Sequence, residues 1–447
     1  MLQQFADREE EMAFLEEIYS EGGFTPVVIY GRRRIGKTSL IKHFIEGKEG
    51  CYMLMTSDGM KENLRYMKEC FAELLKKEYF ISLDEDMYGL FRHFADEIGD
   101  KRVVLAMDEF PYLMEVKKGI LSVFQKIFDE VLVNSNIMLI LSGSSLSMME
   151  NDLLGYRSPL YGRKMRVWKL SPFAFKEIYR IFGDLETAMK VYFVFGNIPY
   201  YLSFYDPSIP LEENIEKNVL KKGAPLYDEP LILLRQEFRE SRTYRLILKY
   251  LSLGYRSLGK LCSATGMDKG NISRYLETLK ETGIVEHILP YGRLRGGIYE
   301  ISDPFMRFWF RFVYPYRHEL ELGITDGIIN RFKSRKMEFF GHNFEFLIRE
   351  FLSMGYIKSL GAFGDVRRWW HKDVEIDLMG IRGETAIFVE CKWKEDVDCE
   401  KVMENLRKKA EKVGWDGEAM YAVFAKSFRK KGDGCFDMND IENSIKS

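Results

Sequence analysis

Gly31-Arg32-Arg33-Arg34-Ile35-Gly36-Lys37-Thr38 follows directly on the apolar run Pro26-Val27-Val28-Ile29-Tyr30, and this junction decides the fold. An unbroken apolar run bounded by turn residues reads as a buried parallel strand. A glycine-rich turn leading from such a strand into a helix aims a row of backbone N–H groups at one point, where they can cradle the phosphates of a nucleotide. Gly31 and Gly36 allow the tight turn and close approach, Lys37 reaches the β- and γ-phosphates, and Thr38 offers a hydroxyl to Mg²⁺. Arg32, Arg33, Arg34 and Ile35 complete the loop and Ser39 continues the helix, so all are candidate nucleotide-binding residues.

The rest of the chain sets limits on this reading. With 447 residues, 46% of them hydrophobic, the sequence can bury more than one core, and two to four domains are expected. A formal net charge of -2 excludes a strong overall field for nucleic acid or anionic membranes, so any such binding must use local basic patches. Cys51, Cys70, Cys262, Cys391, Cys399 and Cys435 form no CxxC pair, which argues against a zinc site or a disulfide framework and for reduced thiols. The first residues carry no secretory pattern, and no apolar run approaches the length that spans a bilayer. A soluble, cytoplasmic protein with no membrane partner is expected.

A second buried-strand signal, Arg102-Val103-Val104-Leu105-Ala106-Met107, ends in Asp108-Glu109. Functional groups collect at the carboxyl ends of parallel strands, which places Asp108 to hold the water shell of Mg²⁺ beside Thr38 and Glu109 to polarise an attacking water. A third run, Ile137 to Leu141, ends in Ser142-Gly143-Ser144-Ser145. Ser142 is the candidate sensor of the γ-phosphate, although a strand-to-helix cap accounts for the serines equally well. Arg163, in Ser158-Pro159-Leu160-Tyr161-Gly162-Arg163, can stabilise charge on a transferring phosphoryl group, either in cis or across the interface of a homo-oligomer.

Together with Phe5-Ala6-Asp7-Arg8-Glu9, Glu11 and Gly196-Asn197-Ile198-Pro199-Tyr200-Tyr201-Leu202, these segments resemble the archaeal-type P-loop ATPases, a group related to the AAA+ and STAND NTPases. The resemblance covers roughly the first half of the chain. It implies ATP as ligand, with Arg8 and Glu9 near the nucleotide base and Pro199, in a small helical lid, packed on adenine. Arg8 reads equally as a helix-capping ion pair, and Pro199 as a proline opening a helix.

From Arg242 to Tyr299 the pattern is helix, turn, helix, hairpin. Ile272, Tyr275, Leu276 and Leu279 form the buried stripe of the third helix, whose other face offers Lys269, Asn271, Ser273 and Arg274. These residue types reach phosphates and base edges from a recognition helix. Arg293 and Arg295 belong to a basic hairpin tip, the wing of a winged helix-turn-helix. DNA is the partner such a face suggests, while a protein contact or a rigid spacer stays open. Phe305, Phe308, Trp309 and Phe312 share a helical face that reads as the joint to the segment that follows.

Val374-Glu375-Ile376-Asp377-Leu378-Met379-Gly380 and Thr385-Ala386-Ile387-Phe388-Val389-Glu390-Cys391-Lys392-Trp393 read as adjacent strands. Side chains alternate across a strand, so Glu390 and Lys392 share one face and Asp377 ends the same face of the neighbour. Two carboxylates and a lysine at strand ends suit a divalent-metal site for phosphodiester cleavage. The pattern resembles the PD-(D/E)xK restriction-endonuclease-like nucleases, and its pairing with an archaeal-type ATPase resembles the DUF234-type architecture. This implies an α-β-β-β-α-β core, Mg²⁺ or Mn²⁺ at Asp377 and Glu390, and Glu345 as a further acidic ligand from the first helix. Ile376 stands where the motif has proline.

The expected architecture is multidomain α/β: a P-loop NTPase parallel sheet over residues 1–165, a helical lid over 166–238, a winged helix-turn-helix with its aromatic joint over 239–318, and a restriction-endonuclease-like domain over 319–447. Two functions are compatible with it: an ATP-hydrolysing, DNA-acting protein with a nuclease-like domain, or a STAND-like switch or scaffold whose C-terminal domain binds without cleaving.

Overall fold

A computed structural model describes residues 8–446, so the Phe5-Ala6-Asp7 part of the N-terminal motif lies outside the described residues. The chain divides into two compact units: residues 1–172 with 198–203, and residues 173–197 with 204–447.

The first unit is built on a five-stranded parallel sheet in the order β2-β3-β4-β1-β5, where β1 is Thr25–Tyr30, β2 Gly50–Leu54, β3 Val103–Asp108, β4 Ile137–Gly143 and β5 Arg166–Lys169. Every residue of β1, β3 and β4 is buried, which is why these three strands read as continuous apolar runs; the edge strand β5 is largely exposed and gave no such signal. Phe71, Phe91, Phe94, Phe110 and Phe124 lie in the hydrophobic core formed with this sheet. β4 lies between β1 and β3, so one strand's width separates the phosphate loop from the carboxylates that end β3.

The second unit contains the helix-turn-helix and the C-terminal sheet. Helices Ser241–Ser252, Leu258–Thr265 and Lys269–Glu281 are followed by the antiparallel pair β6 (Val285–Ile288) and β7 (Ile298–Ile301). Asp268 caps the third helix by accepting from the Asn271 N–H at 2.9 Å, and Ile272, Tyr275, Leu276 and Leu279 are its buried stripe, as the spacing predicts. The aromatic segment then packs on the long helix Asp326–Met354. The Phe308 and Phe312 rings stand 5.5 and 5.3 Å from Phe332, so the segment is a joint.

The C-terminal sheet has the order β14-β12-β10-β9-β8, with β8 Val366–His371, β9 Val374–Arg382, β10 Thr385–Lys392, β12 Glu418–Ala425 and β14 Cys435–Phe436; β11 (Val397–Asp398) and β13 (Phe428–Lys430) pair beside it. β8, β9 and β10 are antiparallel neighbours, and β10 pairs with β12 in parallel through the crossover helix Cys399–Glu411. The succession of long helix, β8, β9, β10, helix and β12 has the α-β-β-β-α-β order expected for the core.

The expectation of six reduced thiols is corrected. Cys51 pairs with Cys70, and Cys399 with Cys435, with Cα separations of 6.1 and 6.4 Å; Cys262 and Cys391 stay as thiols. The partners are 19 and 36 residues apart and meet, in both pairs, only where a helix packs against a strand, which spacing along the chain does not reveal. Among the described residues, no helix is long and apolar enough to cross a membrane.

Candidate functional site

In the first unit, the loop after β1 leads into the helix Lys37–Ile45, whose first turn leaves backbone N–H groups without helical partners. Gly36 takes φ 94°, and a Cβ on Gly31 would collide with the Leu170 carbonyl and the Ile35 side chain. Arg34 also adopts the left-handed region, at φ 71°. The Lys37 ammonium folds back over the loop, donating to the Gly31 and Arg32 carbonyls at 2.9 Å each. The exposed Thr38 hydroxyl donates to Asp108 Oδ2 at 2.6 Å, and Ser39 is exposed beside it. A hydroxyl and a carboxylate at this spacing are hard oxygen donors, as Mg²⁺ requires.

Glu109 sits at φ 53°, a costly conformation for a side chain of its size. Its carboxylate accepts from the Ser144 hydroxyl at 2.8 Å and lies 3.9 Å from the Arg33 guanidinium. Ser142, the expected sensor, is fully buried, and its hydroxyl has no hydrogen-bond partner among the described residues. Ser144, two positions on, makes the contact with the carboxylate; a polar run at a strand end does not show which hydroxyl turns inward.

Tyr52 on β2 was not legible as a site residue. Its hydroxyl donates to Asp108 Oδ2 at 2.8 Å, and burial, followed by the Asp108 charge, raises the phenol above its ordinary range. Arg8 is buried and donates to the carbonyls of Ile35 at 3.1 Å and Ser171 at 2.9 Å while pairing with Glu11, so it braces the phosphate loop from behind. Pro199 opens a one-turn helix, Pro199–Leu202. The Tyr200 N–H donates to the Arg34 carbonyl at 3.4 Å, and the Arg34 guanidinium lies 4.4 Å from the Tyr200 ring centroid. Arg163 is held in a two-point pair with Asp129, at 2.9 and 2.6 Å, and donates to the Pro159 carbonyl. Its contacts are with these groups and not with the phosphate loop.

In the second unit, Asp377, Glu390 and Lys392 meet where the pairing of β9 with β10 stops. The last paired residues are Leu378 and Val389, so the next step brings Asp377 beside Glu390. Lys392 Nζ lies 2.6 Å from Glu390 and 3.9 Å from Asp377, and the Cys391 N–H donates to Asp377 at 2.8 Å. Lys409, from the crossover helix, adds a second cation at 2.8 Å from Glu390; nothing in its sequence context marks it. Burial, and then the Glu390 charge, push Asp377 up to about 6; burial and the Asp377 charge push Glu345 up to about 7. Burial works against the Lys392 ammonium, but Asp377 and Glu390 outweigh it and raise its pKa.

Glu345 faces Arg368, which also pairs with Glu375 at 3.1 Å and lies 3.5 Å from Glu300 of β7. Among the described residues, no three His, Cys, Asp or Glu side chains converge to hold a metal ion. The expected Asp377–Glu390–Glu345 metal site is therefore not formed here. Glu390 is taken up by two lysines and Glu345 by Arg368, so the donor set does not fit a divalent ion in this arrangement.

On the third helix of the helix-turn-helix, Lys269, Asn271 and Arg274 are exposed and Ser273 is half-buried. Asn271 is spent on the Asp268 cap. Arg295 projects from an exposed wing, but Arg293 contacts His371 of β8, and the Tyr291 N–H donates to the Arg368 carbonyl at 3.3 Å. The wing thus rests on the C-terminal sheet.

The comparisons agree with this geometry. Residues 5–204 match an ATPase domain predominantly from Archaea. Residues 309–407 match DUF234, described as archaeal and bacterial proteins of unknown function, and residues 242–287 match the arsR family of bacterial regulatory proteins. The uncharacterised protein MJECL04 of Methanocaldococcus jannaschii is 34% identical over 98% of this chain and 100% of its own length. A second uncharacterised protein of that organism, MJ0424, is 49% identical over 21% of this chain and 89% of its own. The Walker-type ATPase Paby2304 of Pyrococcus abyssi shares the fold, with a TM-score of 0.51 at 21% identity over 69% of this chain and 97% of its own. A phosphate loop facing a paired acid and glutamate, ahead of a helix-turn-helix and a C-terminal mixed sheet, makes the chain an ATP-hydrolysing enzyme that belongs to the archaeal P-loop ATPases carrying a DUF234 domain.

Proposed function

We propose that this ATPase acts on DNA, with its helix-turn-helix and its restriction-endonuclease-like C-terminal domain serving one DNA substrate. In the ATPase site, Lys37 leaves the Gly31 and Arg32 carbonyls for the β- and γ-phosphates, while the N–H groups of Arg32 to Ser39 hold the phosphate oxygens. Thr38 and Asp108 would hold Mg²⁺, and the ion would supply charge neutralisation at the phosphate oxygens. Glu109, oriented by Ser144, accepts a proton from the attacking water. Arg33, beside Glu109, adds a second cation to Lys37 near the developing charge, whereas Arg163 serves only if its pair with Asp129 opens. Arg8 positions the loop, and Pro199 with Tyr200 provides a surface for the base.

The observation that carries the DNA reading is the convergence of Asp377, Glu390 and Lys392 where the β9–β10 pairing stops, in the same unit as a helix that exposes Lys269 and Arg274. A second reading, a STAND-like switch whose C-terminal domain binds without cleaving, is supported by the pairing of Glu390 with Lys392 and Lys409. The test is incubation of the full chain with linear, branched and single-stranded DNA, with Mg²⁺ or Mn²⁺ and with or without ATP. Products that disappear in Asp377→Ala, Glu390→Ala and Lys392→Ala establish a nuclease. DNA binding without products establishes the binding-only reading, and no binding of any form refutes action on DNA.

A further inference from the structure

A cavity of about 620 Å³ lies within the second unit, between the helix-turn-helix and the C-terminal domain, and it opens onto Lys392 and Glu345. Its walls come from four parts of the chain, one of them the stretch from Glu300 to Phe312 that carries Arg307 and Arg311. Leu251 to Gly254 and Arg256 belong to the helix-turn-helix, Arg335 to Glu345 to the long helix, and Cys391 to Lys394 to the end of β10. Six arginines and lysines line it against three glutamates, so it carries a net positive field.

Some of these cations are already committed. Arg256 pairs with Glu300, and Arg311 donates to the Ser252 carbonyl at 3.0 Å and lies 3.4 Å from Glu338. Arg335 and Lys394 are different: both are exposed, and neither side chain makes an ion pair among the described residues. The same cavity is lined by Leu253 and Met337, large apolar side chains that are 42% and 54% exposed. Unpaired cations beside exposed apolar side chains suit a ligand with a charged backbone and a flat apolar face.

We infer that this cavity receives an unpaired nucleotide of a DNA strand, its base against Leu253 and Met337 and its flanking phosphates toward Arg335 and Lys394. The volume falls in the range of pockets that enclose a small molecule. A continuous duplex keeps its bases stacked and offers none to such a pocket, whereas a single-stranded tail or gap offers one without the cost of unstacking. The substrate class is accordingly DNA with single-stranded character next to a duplex that the recognition helix can hold. This inference rests on the DNA reading of the C-terminal site and narrows it.

The test is fluorescence anisotropy on the full chain, using one labelled duplex in blunt form, the same duplex with a 3′ or 5′ single-stranded tail, and the single strand alone. Tailed DNA is expected to bind at least about tenfold tighter than blunt DNA. The double substitution Arg335→Glu with Lys394→Glu, both on exposed positions, should remove that preference and leave blunt-duplex affinity within about twofold. A thermal melt shows that the variant is folded, and Met337→Asp supplies a second, uncharged-to-charged test of the base wall. Equal affinity for blunt and tailed DNA, or a preference that survives in both variants, overturns the inference while leaving the DNA reading in place. Failure of every DNA form to bind overturns both.

Discussion

Thr38 and Asp108, separated by 70 positions in the chain, are joined by a 2.6 Å hydrogen bond from the threonine hydroxyl to Asp108 Oδ2. The bond links the start of the helix after the phosphate loop to the end of β3 across the intervening β4, and Tyr52 completes it from β2 at 2.8 Å. Three elements thus aim oxygen atoms at one place before any ligand arrives, which reduces the ordering that binding must supply.

Lys37→Ala should abolish nucleotide binding, since its ammonium is poised at the mouth of the loop. Glu109→Gln should keep binding and lower hydrolysis by about a hundredfold or more, because it retains the shape and loses the base. Isothermal titration with ATP and a phosphate-release assay separate the two effects; equal loss of binding in both variants would remove Glu109 from the chemistry.

Tyr52→Phe should weaken the apparent Mg²⁺ affinity of hydrolysis a few-fold, with a stability loss of about 1 kcal/mol for one hydrogen bond. A Mg²⁺ titration of ATPase rate, with urea unfolding as the control, checks it. An unchanged Mg²⁺ midpoint would mean that the tyrosine only fills space.

Arg274→Ala should weaken DNA binding and lower the slope of log affinity against log salt by about one. Arg293→Ala should do less, since its guanidinium already contacts His371. Anisotropy across a salt series distinguishes them, and a larger loss from Arg293 would mean that the wing leaves the sheet to reach DNA.

Asp377→Asn should stabilise the protein near neutral pH. Asp377 titrates at about 6 in the fold, against 3.8 as its ordinary value, because burial and then the Glu390 charge oppose its ionisation. Between those values the folded state keeps a proton that the unfolded chain has released, so stability falls as pH rises from about 4 to about 6. The variant's melting temperature should exceed that of the wild type by on the order of 3 °C at pH 7.5, and the gap should shrink toward pH 4. Melts over that range provide the check; a gap independent of pH would rule out titration of Asp377.

Arg307→Ala should cost roughly 3 kcal/mol. The guanidinium is buried, donates to Ile301 at 2.9 Å and Asn343 at 2.6 Å, and lies 3.8 Å from the Phe346 ring centroid. Its loss leaves two buried acceptors unpaired between β7 and the long helix. Urea unfolding with limited proteolysis should show the helix-turn-helix loosening from the C-terminal sheet.

Sequence alone determined what depends on local pattern. The phosphate loop, the apolar strands β1, β3 and β4, the third helix of the helix-turn-helix with its stripe, and the β9–β10 pair are all written in runs and alternations, since burial on both faces or one face fixes which residues can stand where. Tertiary structure decided the pairings between distant segments. Tyr52 with Asp108, Ser144 on Glu109, Lys409 on Glu390, Arg368 on Glu345, and the two cysteine pairs all depend on how strands and helices are layered. A hydrogen bond or ion pair is set by separations of a few ångströms in space, and the spacing of residues along the chain carries no record of those distances.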